Sequence, residues 1–487
     1  MLFNSFVFLL VFLPIALSAY HLLNRWHLPA AKASLVLGSL VFYGWGNVRN
    51  VPLILLSLCV NYLTASLIHS RRKTSALTPK RLLVLGLAFN IALLGYFKYC
   101  DFFILNINAL AGTQISFLRI ALPLGISFFT LQQITFLLDT YEKLVDPKGI
   151  LDYALFVTFF PKLLAGPIVH YKKLLPQFAL PQNTTINYQN IVCGLFVFSI
   201  GLFKKSVLAD SLSPVVRQAF DILPSLSFVE AWMASLSYTL QIYFDFSGYS
   251  DMAIGLGLLF NIALPINFNS PYKCKSVIDY WNRWHMTLSQ FINTYLYTPL
   301  VRTFGFSFYR SLLAILIAMF IAGLWHGASW TYVFWGVLHG AALCVNHIWR
   351  KSSRRMPSRL AWLLVFNFVN ISYVFFRATS FSDAFKVLKA MAGFNSFLPK
   401  GLTLSDLFSL RIIEVPLYGN MAFSDIAIYL VLAFAAVFIV FCTKNSMEML
   451  EDVKPDLKHY LLILGCVLVS FLFMNSFAEK EFLYFEF

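Results

Sequence analysis

Charge is scarce in this chain. Asp, Glu, Lys and Arg make up only 12% of its 487 residues, about half the share usual in a soluble domain. Seven cysteines are scattered with no C-x-x-C pair. They are read as packing residues, with neither a metal site nor a disulfide framework. There is no G-x-x-x-x-G-K-[ST], no H-E-x-x-H, no G-x-S-x-G and no glycine-rich dinucleotide turn, which argues against an ATP-driven pump. No internal repeat is visible, and this weighs against a repeat-built transporter. The first residues, MLFNSFVFLLVFLPIALSAY, lack a basic leader region and a small-residue cleavage site, so they read as a first membrane span rather than a cleaved signal. No soluble basic domain accompanies the net charge of +15, so nucleic acid is not an expected partner; topology and anionic lipids account for most of it.

What is abundant is apolar sequence: 59% hydrophobic residues and a mean hydropathy of +0.72. Apolar runs recur at about the length of a bilayer crossing. They fall near residues 3–20, 33–46, 51–68, 82–99, 120–138, 190–208, 229–246, 251–266, 311–325, 330–348, 360–377, 425–443 and 459–476. The expected class is an all-α polytopic membrane protein of roughly 11–13 spans. LPLGISFF and FFPKLLAGPIVHY are short and broken by Gly or Pro. They read as re-entrant or interfacial segments, tolerated where protein or water covers the backbone. Two basic stretches, RRKTSALTPKR (Arg71 to Arg81) and RKSSRRMPSR (Arg350 to Arg359), mark cytoplasmic loops. Counting spans from them puts both chain ends outside.

Polar residues at membrane depth are functional candidates by default. LQQITFLLDTY carries Gln132, Gln133 and Asp139, and the glutamines read as interhelical hydrogen-bonding groups. YFDFSGYSDMAIG carries Asp245, Ser247 and Asp251 around Gly248, a pattern expected of a broken helix with a capping aspartate. DYWNRWHMTLSQFINTYLYTPL carries Asn282, Arg283 and His285. AGLWHGASWTYVFWG places His326 between Gly323 and Gly327 and among Trp325, Trp330 and Trp335. The glycines are expected to admit a ligand close to the backbone, and the tryptophans to wall a dry pocket. A neutral imidazole there could accept a proton from an alcohol attacking an activated acyl group. His339 reads as packing and His347 as an interface residue.

Several stretches together resemble the membrane-bound O-acyltransferase family: LPLGISFFTLQQITFLLDTY, FFPKLLAGPIVHY, YFDFSGYSDMAIGLGLLFNIALPINFNSPY, YWNRWHMTLSQFINTYLYTPL and AGLWHGASWTYVFWGVLHG. The likeness is greatest to its bacterial branch, which includes alginate and peptidoglycan O-acetyltransferase membrane subunits and the teichoic-acid D-alanyl transfer protein. It runs from about Leu94 onward. FDFSGYSD, NRWH and GLWHG in this order are specific together, although QFINTYLYTPLVRTFG after the second motif departs from the family pattern. The resemblance implies a helical bundle with a central tunnel or funnel. It divides the chain into N-terminal spans (1–93), a catalytic core (94–378) and a segment of two last spans with an external tail (379–487). It implies that His326 is catalytic and His285 is a second functional histidine, with Trp325, Trp330, Asn282, Arg283, Asp245 and Ser247 around the substrates. No metal and no bound cofactor are implied. The donor is a cytosolic acyl thioester, acetyl-CoA or an acyl carrier. The acceptor side involves a secreted, periplasmic SGNH-type partner, in a bacterial cytoplasmic membrane. The final residues FLYFEF resemble a Phe-Ile-Tyr-Phe-like terminal motif, which makes Tyr484 an acyl relay. Acylation of a membrane lipid, D-alanylation of teichoic acid and a transporter or flippase are the rival expectations.

Overall fold

The computed structural model describes residues 1–70, 78–147, 149–183, 185–352, 354–399, 423–474 and 482–483, the side chains of 423–425 excepted. Helices dominate at 76%, and no strand occurs among the described residues. A bilayer interior offers backbone groups no solvent partner, so helices, which satisfy themselves, are the economical solution. Among the described residues, five helical segments are long and apolar enough to cross a membrane: Asn50–His69, Pro79–Ala111, Tyr188–Ile222, Phe308–His326 and Ser358–Arg377. Shorter apolar helices cover Phe8–Asn24, Leu28–Gly44, Ile426–Cys442 and Leu457–Phe473.

The chain forms two compact units. The first comprises Met1–Ser199, Tyr249–Ile266 and Asp452–Ile463. It holds α1 (Leu13–Asn24), α2 (Leu28–Gly44), α3 (Asn50–His69), α4 (Pro79–Leu94), α5 (Cys100–Ala111), α6 (Ile126–Tyr141), α7 (Ile150–Thr158), α8 (Phe160–Leu163), α9 (Tyr171–Phe178) and most of α10 (Tyr188–Phe203). Thr78 starts α4 by accepting the Arg81 N–H, with Pro79 in the first turn, where a missing N–H costs nothing. Both glutamines of α6 bond across helices as expected. Gln133 Oε1 accepts from Ser57 Oγ at 2.9 Å and from Asn61 Nδ2, and Gln132 Oε1 accepts from the buried Lys162 ammonium. The two Gly- and Pro-broken stretches are irregular as expected. LPLGISFF is irregular until Gly125, at φ +69°, opens α6, and FFPKLLAGPIVHY forms only the four-residue α8, followed by a turn at 164–166 and an irregular stretch to His170.

The second unit comprises Ile200–Gly248, Asn267–Glu451 and Leu464–Phe487. It holds α11 (Asp210–Arg217), the first part of α12 (Phe228–Leu259), α13 (Val277–Trp281), α14 (Met286–Ile292), α15 (Thr298–Phe304), α16 (Phe308–His326), α17 (Trp330–Lys351), α18 (Ser358–Arg377), α19 (Phe381–Met391), α20 (Phe423–Cys442), α21 (Ser446–Leu450) and the end of α22 (Leu457–Phe473). Two spans expected at 229–246 and 251–266 prove to be one: α12 runs unbroken through Gly248. That glycine serves packing instead of a break, since a Cβ there would sit 2.7 Å from the Gly201 carbonyl oxygen. Just before α11 the helix widens into a π-turn over Lys204–Ala209, closed by the Asp210 N–H donating to the Lys205 carbonyl.

Helices α16 and α17 form a hairpin held by glycine contacts. Cβ atoms at Gly323 and Gly336 would meet the Tyr332 carbonyl oxygen at 2.5 Å and the Met319 carbonyl oxygen at 2.3 Å. The backbones therefore touch directly, as small residues permit between membrane helices.

Candidate active site

His326 is the last residue of α16, capped by the extended Gly327. Its imidazole is only 3% exposed. Three rings surround it edge-on: Trp325 at 5.0 Å, Trp335 at 5.1 Å and Phe376 of α18 at 5.3 Å between centroids. Trp325 and Trp335, two of the three tryptophans expected to wall a pocket, thus pack directly against His326. Trp330 departs from it. It opens α17 just after the turn, and its side chain is 49% exposed. The flanking glycines also act differently from expectation. A Cβ at Gly327 would lie 2.2 Å from the Tyr332 ring, and one at Gly323 is blocked by the Tyr332 carbonyl. The space they leave is filled by α17, so they let that helix press close to the helix end that carries His326.

Trp335 is itself held by His339, whose ring lies 4.8 Å away. His339 Nε2 sits 2.9 Å from Ser372 Oγ. The Ser372 hydroxyl already donates to the Val369 carbonyl, so His339 Nε2 is the donor in that pair. His339 is a packing and positioning residue, in line with its sequence reading.

His285 occupies the left-handed position at the start of α14, with φ 43°, a conformation uncommon for a side-chain-bearing residue. It is fully buried. Its Nδ1 lies 3.1 Å from Asn267 Oδ1, which also accepts the Thr287 N–H at 3.3 Å and the Thr287 hydroxyl at 3.0 Å. A backbone N–H can only donate, so its partner atom is the amide oxygen. Nδ1 must then carry hydrogen, leaving the lone pair on Nε2. Phe246 packs edge-on against this imidazole at 4.7 Å.

The two histidines are linked by one belt of rings. From His326 it passes through Phe376, Tyr373, Trp284, Phe268 and Phe246 to His285, each step between 4.7 and 6.1 Å. Beside it lies a cavity of about 280 Å³ lined by Trp281, Asn282, Asn293, Met319 and His347 among others. Trp281 also meets Trp335 and His339, which places the cavity one ring from the wall around His326. Of the expected substrate residues, Asn282 reaches this cavity, while Arg283 is tied to Asp279 at 2.7 Å and to the Asn269 carbonyl. Asp245 and Ser247 flank Phe246 on α12 and are both buried. Asp245 Oδ1 pairs with Lys205 Nζ at 2.7 Å. Tyr484 lies outside the described residues, as do most of the first basic stretch and Ser353 in the second.

Sequence reading missed Asn267, Lys205 and Phe376. Lys205 carried a usable signal, since two adjacent lysines end an apolar run with Asp210 and Asp245 as acids to pair. A single Asn in FNIALPINFNSPY carries none.

Residues 90–381 match the membrane-bound O-acyltransferase family. Over its whole length the chain is 43% identical to peptidoglycan O-acetyltransferase of Helicobacter pylori, 98% of which is covered. It is 36% identical to a probable alginate O-acetylase, AlgI, of Azotobacter vinelandii, over 88% of this chain and 85% of that one. With teichoic acid D-alanyltransferase of Streptococcus thermophilus it shares 27% identity, over 47% of this chain and 58% of that one.

Proposed function

The chain belongs to the membrane-bound O-acyltransferase family, and on that premise we propose that it moves acetyl groups from a cytosolic thioester, acetyl-CoA, toward the hydroxyls of an extracytoplasmic polymer, peptidoglycan first. The observation that carries this reading is the end-to-end likeness to a peptidoglycan O-acetyltransferase. The D-alanyl relative matches only about half the chain, and this favours acetyl transfer over D-alanylation.

His326 is the general base. Its imidazole takes the proton of an acceptor hydroxyl while the oxygen attacks the thioester carbonyl. The carbon–sulfur bond then breaks, and the proton returns to the leaving thiolate as free thiol. A positioned base contributes about 10²–10⁴-fold. The half-buried ring of Trp325 and the buried rings of Trp335 and Phe376 limit water, which strengthens polar interactions with the developing oxyanion. His285, with Nδ1 committed to Asn267, offers Nε2 as an acceptor and orients the second substrate. The cavity reached by Asn282 and Trp281 is the approach for the donor.

The first acceptor is the phenol of Tyr484, and a secreted SGNH-type partner then takes the acetyl group from it. A phenol suits a relay, because its pKa near 10 makes it both easier to activate than an alcohol and a better leaving group. The protein sits in a bacterial cytoplasmic membrane, with residues 71–81 and 350–359 in the cytosol and both ends outside.

The test is His326→Ala. It leaves a small cavity at a helix end and no broken span, so the protein should accumulate normally. Thiol release from acetyl-CoA by the purified enzyme and polymer O-acetylation in cells should both be lost. Wild-type levels of either would refute the assignment.

A further inference from the structure

One buried ion cluster takes no part in the mechanism above. Lys205 Nζ lies 2.7 Å from both Asp210 Oδ1 and Asp245 Oδ1, with the Lys205 and Asp245 side chains each only 2% exposed. Lys205 and Asp210 are five residues apart, a separation that puts side chains about 140° apart on a regular α-helix. The π-turn over Lys204–Ala209 widens the helix and brings both onto one face. Such turns are frequent at functional sites.

What the cluster holds is the chain's own terminal segment. The Leu483 N–H donates to Asp245 Oδ2 at 3.1 Å. The Lys205 ammonium sits over the Phe482 ring, 4.8 Å from its centroid, and Phe482 is 1% exposed. One carboxylate oxygen thus faces the ammonium and the other a tail amide, while the same ammonium meets the tail's aromatic face. Charge-assisted hydrogen bonds and desolvated cation–π contacts are among the stronger polar interactions. The next residue on α12, Phe246, packs on His285. The tail anchor and the second histidine's neighbour are therefore one residue apart on a single helix.

We propose that Lys205, Asp210 and Asp245 form a docking clamp for the segment Phe482–Leu483, and that Lys205 and Asp245 are its two contact residues. In the role of positioning residues, which rests on the relay reading of Tyr484, they hold the chain immediately before the tyrosine beside the helix that supports His285. The clamp recognises a backbone amide and an aromatic ring. It needs no hydroxyl, so docking and acyl transfer are separable.

Hydrogen–deuterium exchange on the purified full-length protein, without acyl donor, reads the docking directly. The Leu483 amide should exchange about tenfold or more slowly than in Phe482→Ala. Asp245→Asn and Lys205→Met should release it too. Because those two alter a buried ion pair, Leu483→Pro, which removes the donated N–H and leaves the ion cluster itself untouched, is paired with them. It should lower polymer O-acetylation at normal protein level, with His326-dependent thiol release from acetyl-CoA kept when a small phenol is supplied as acceptor. Tyr484→Phe should lose polymer acetylation while keeping the slow Leu483 exchange. Slow exchange together with full acetylation in Tyr484→Phe would support the clamp and sink the relay. Exchange of the Leu483 amide at the free-peptide rate in the wild-type protein, or undiminished acetylation in Leu483→Pro, would overturn the clamp.

Discussion

Replacing Gly336 with alanine adds one carbon to the interface of α16 and α17. That carbon would lie 2.3 Å from the Met319 carbonyl oxygen, where at least 3.0 Å is needed. The obstruction is backbone, so no rotamer change relieves it. The helices must separate by about 0.7 Å, the shortfall between those two distances. Alanine in a helix interior gains about 1 kcal/mol over glycine, and overpacking costs about 1–3 kcal/mol, so the net loss of stability is modest and the protein should accumulate. Activity should suffer more. His326 ends α16, two turns beyond Met319, and a misplacement of about 1 Å costs on the order of 10²-fold. We expect acyl transfer in proteoliposomes, normalised to protein, to fall about 10- to 100-fold. Gly340→Ala is the control, one turn further along the same face. Its added carbon meets Met319 Cβ at 3.1 Å, a Leu316 methyl at 3.3 Å and Leu316 Cα at 3.4 Å, all beyond the 3.0 Å limit, so a shift of a few tenths of an ångström suffices and it should keep most of its activity. Wild-type activity in Gly336→Ala, or an equal loss in Gly340→Ala, would refute the idea that the glycine contact positions His326.

Asn267→Leu leaves the Thr287 N–H and the His285 Nδ1–H without their shared acceptor, at about 1–3 kcal/mol each. If that loss falls on the transition state, acyl transfer should drop about 10- to 100-fold, tenfold for each 1.36 kcal/mol, and an unchanged rate in folded protein would show that the His285 tautomer is immaterial. Ser380 caps α19 by accepting the Asp383 N–H, and its hydroxyl bond is the main reason the Asp383 carboxyl is held below the usual carboxylate range. That contribution is complete above the unfolded carboxylate pKa, near 3.9, and disappears as pH falls through the lower folded value. Ser380→Ala should therefore cost about 0.5–2 kcal/mol near neutral pH and move the midpoint of acid unfolding upward, as followed by circular dichroism in detergent. Cysteines introduced at positions 75 and 353 should react with impermeant reagents only from the cytosolic side, while a tag after Phe487 should be reached from outside. The opposite pattern would reverse the direction of transfer.

Motif chemistry was legible wherever the chain repeats a local pattern. GLWHG and its tryptophans led to His326, and the paired glutamines of α6 read as interhelical bonds. What failed was the reading of glycine. Gly248 suggested a break and Gly323 and Gly327 a ligand approach, yet all three are places where another segment presses close. A sequence shows that a Cβ is missing but not which atom takes its room. The same limit explains Trp330 and Trp335, which are alike in composition. The helix period turns Trp335 inward toward His326, whereas Trp330 stands at the hairpin turn, half exposed. Asn267 was invisible because its three partners, His285 and two groups of Thr287, lie about twenty residues downstream.

The widened turn at Lys204–Ala209 has an evolutionary consequence. A π-turn is an α-helix carrying one residue too many, so this clamp is built on an insertion. Loss of a single codon within 204–209 would restore the ordinary helical register and swing the downstream helix by about 100°. Lys205 and Asp210 would then stand four apart and still share a face, while the rest of α11 would turn away from its present neighbours. In this segment a single deletion re-aims α11 with every charge still present, and a comparison of lineages should find length, more than residue identity, held fixed there.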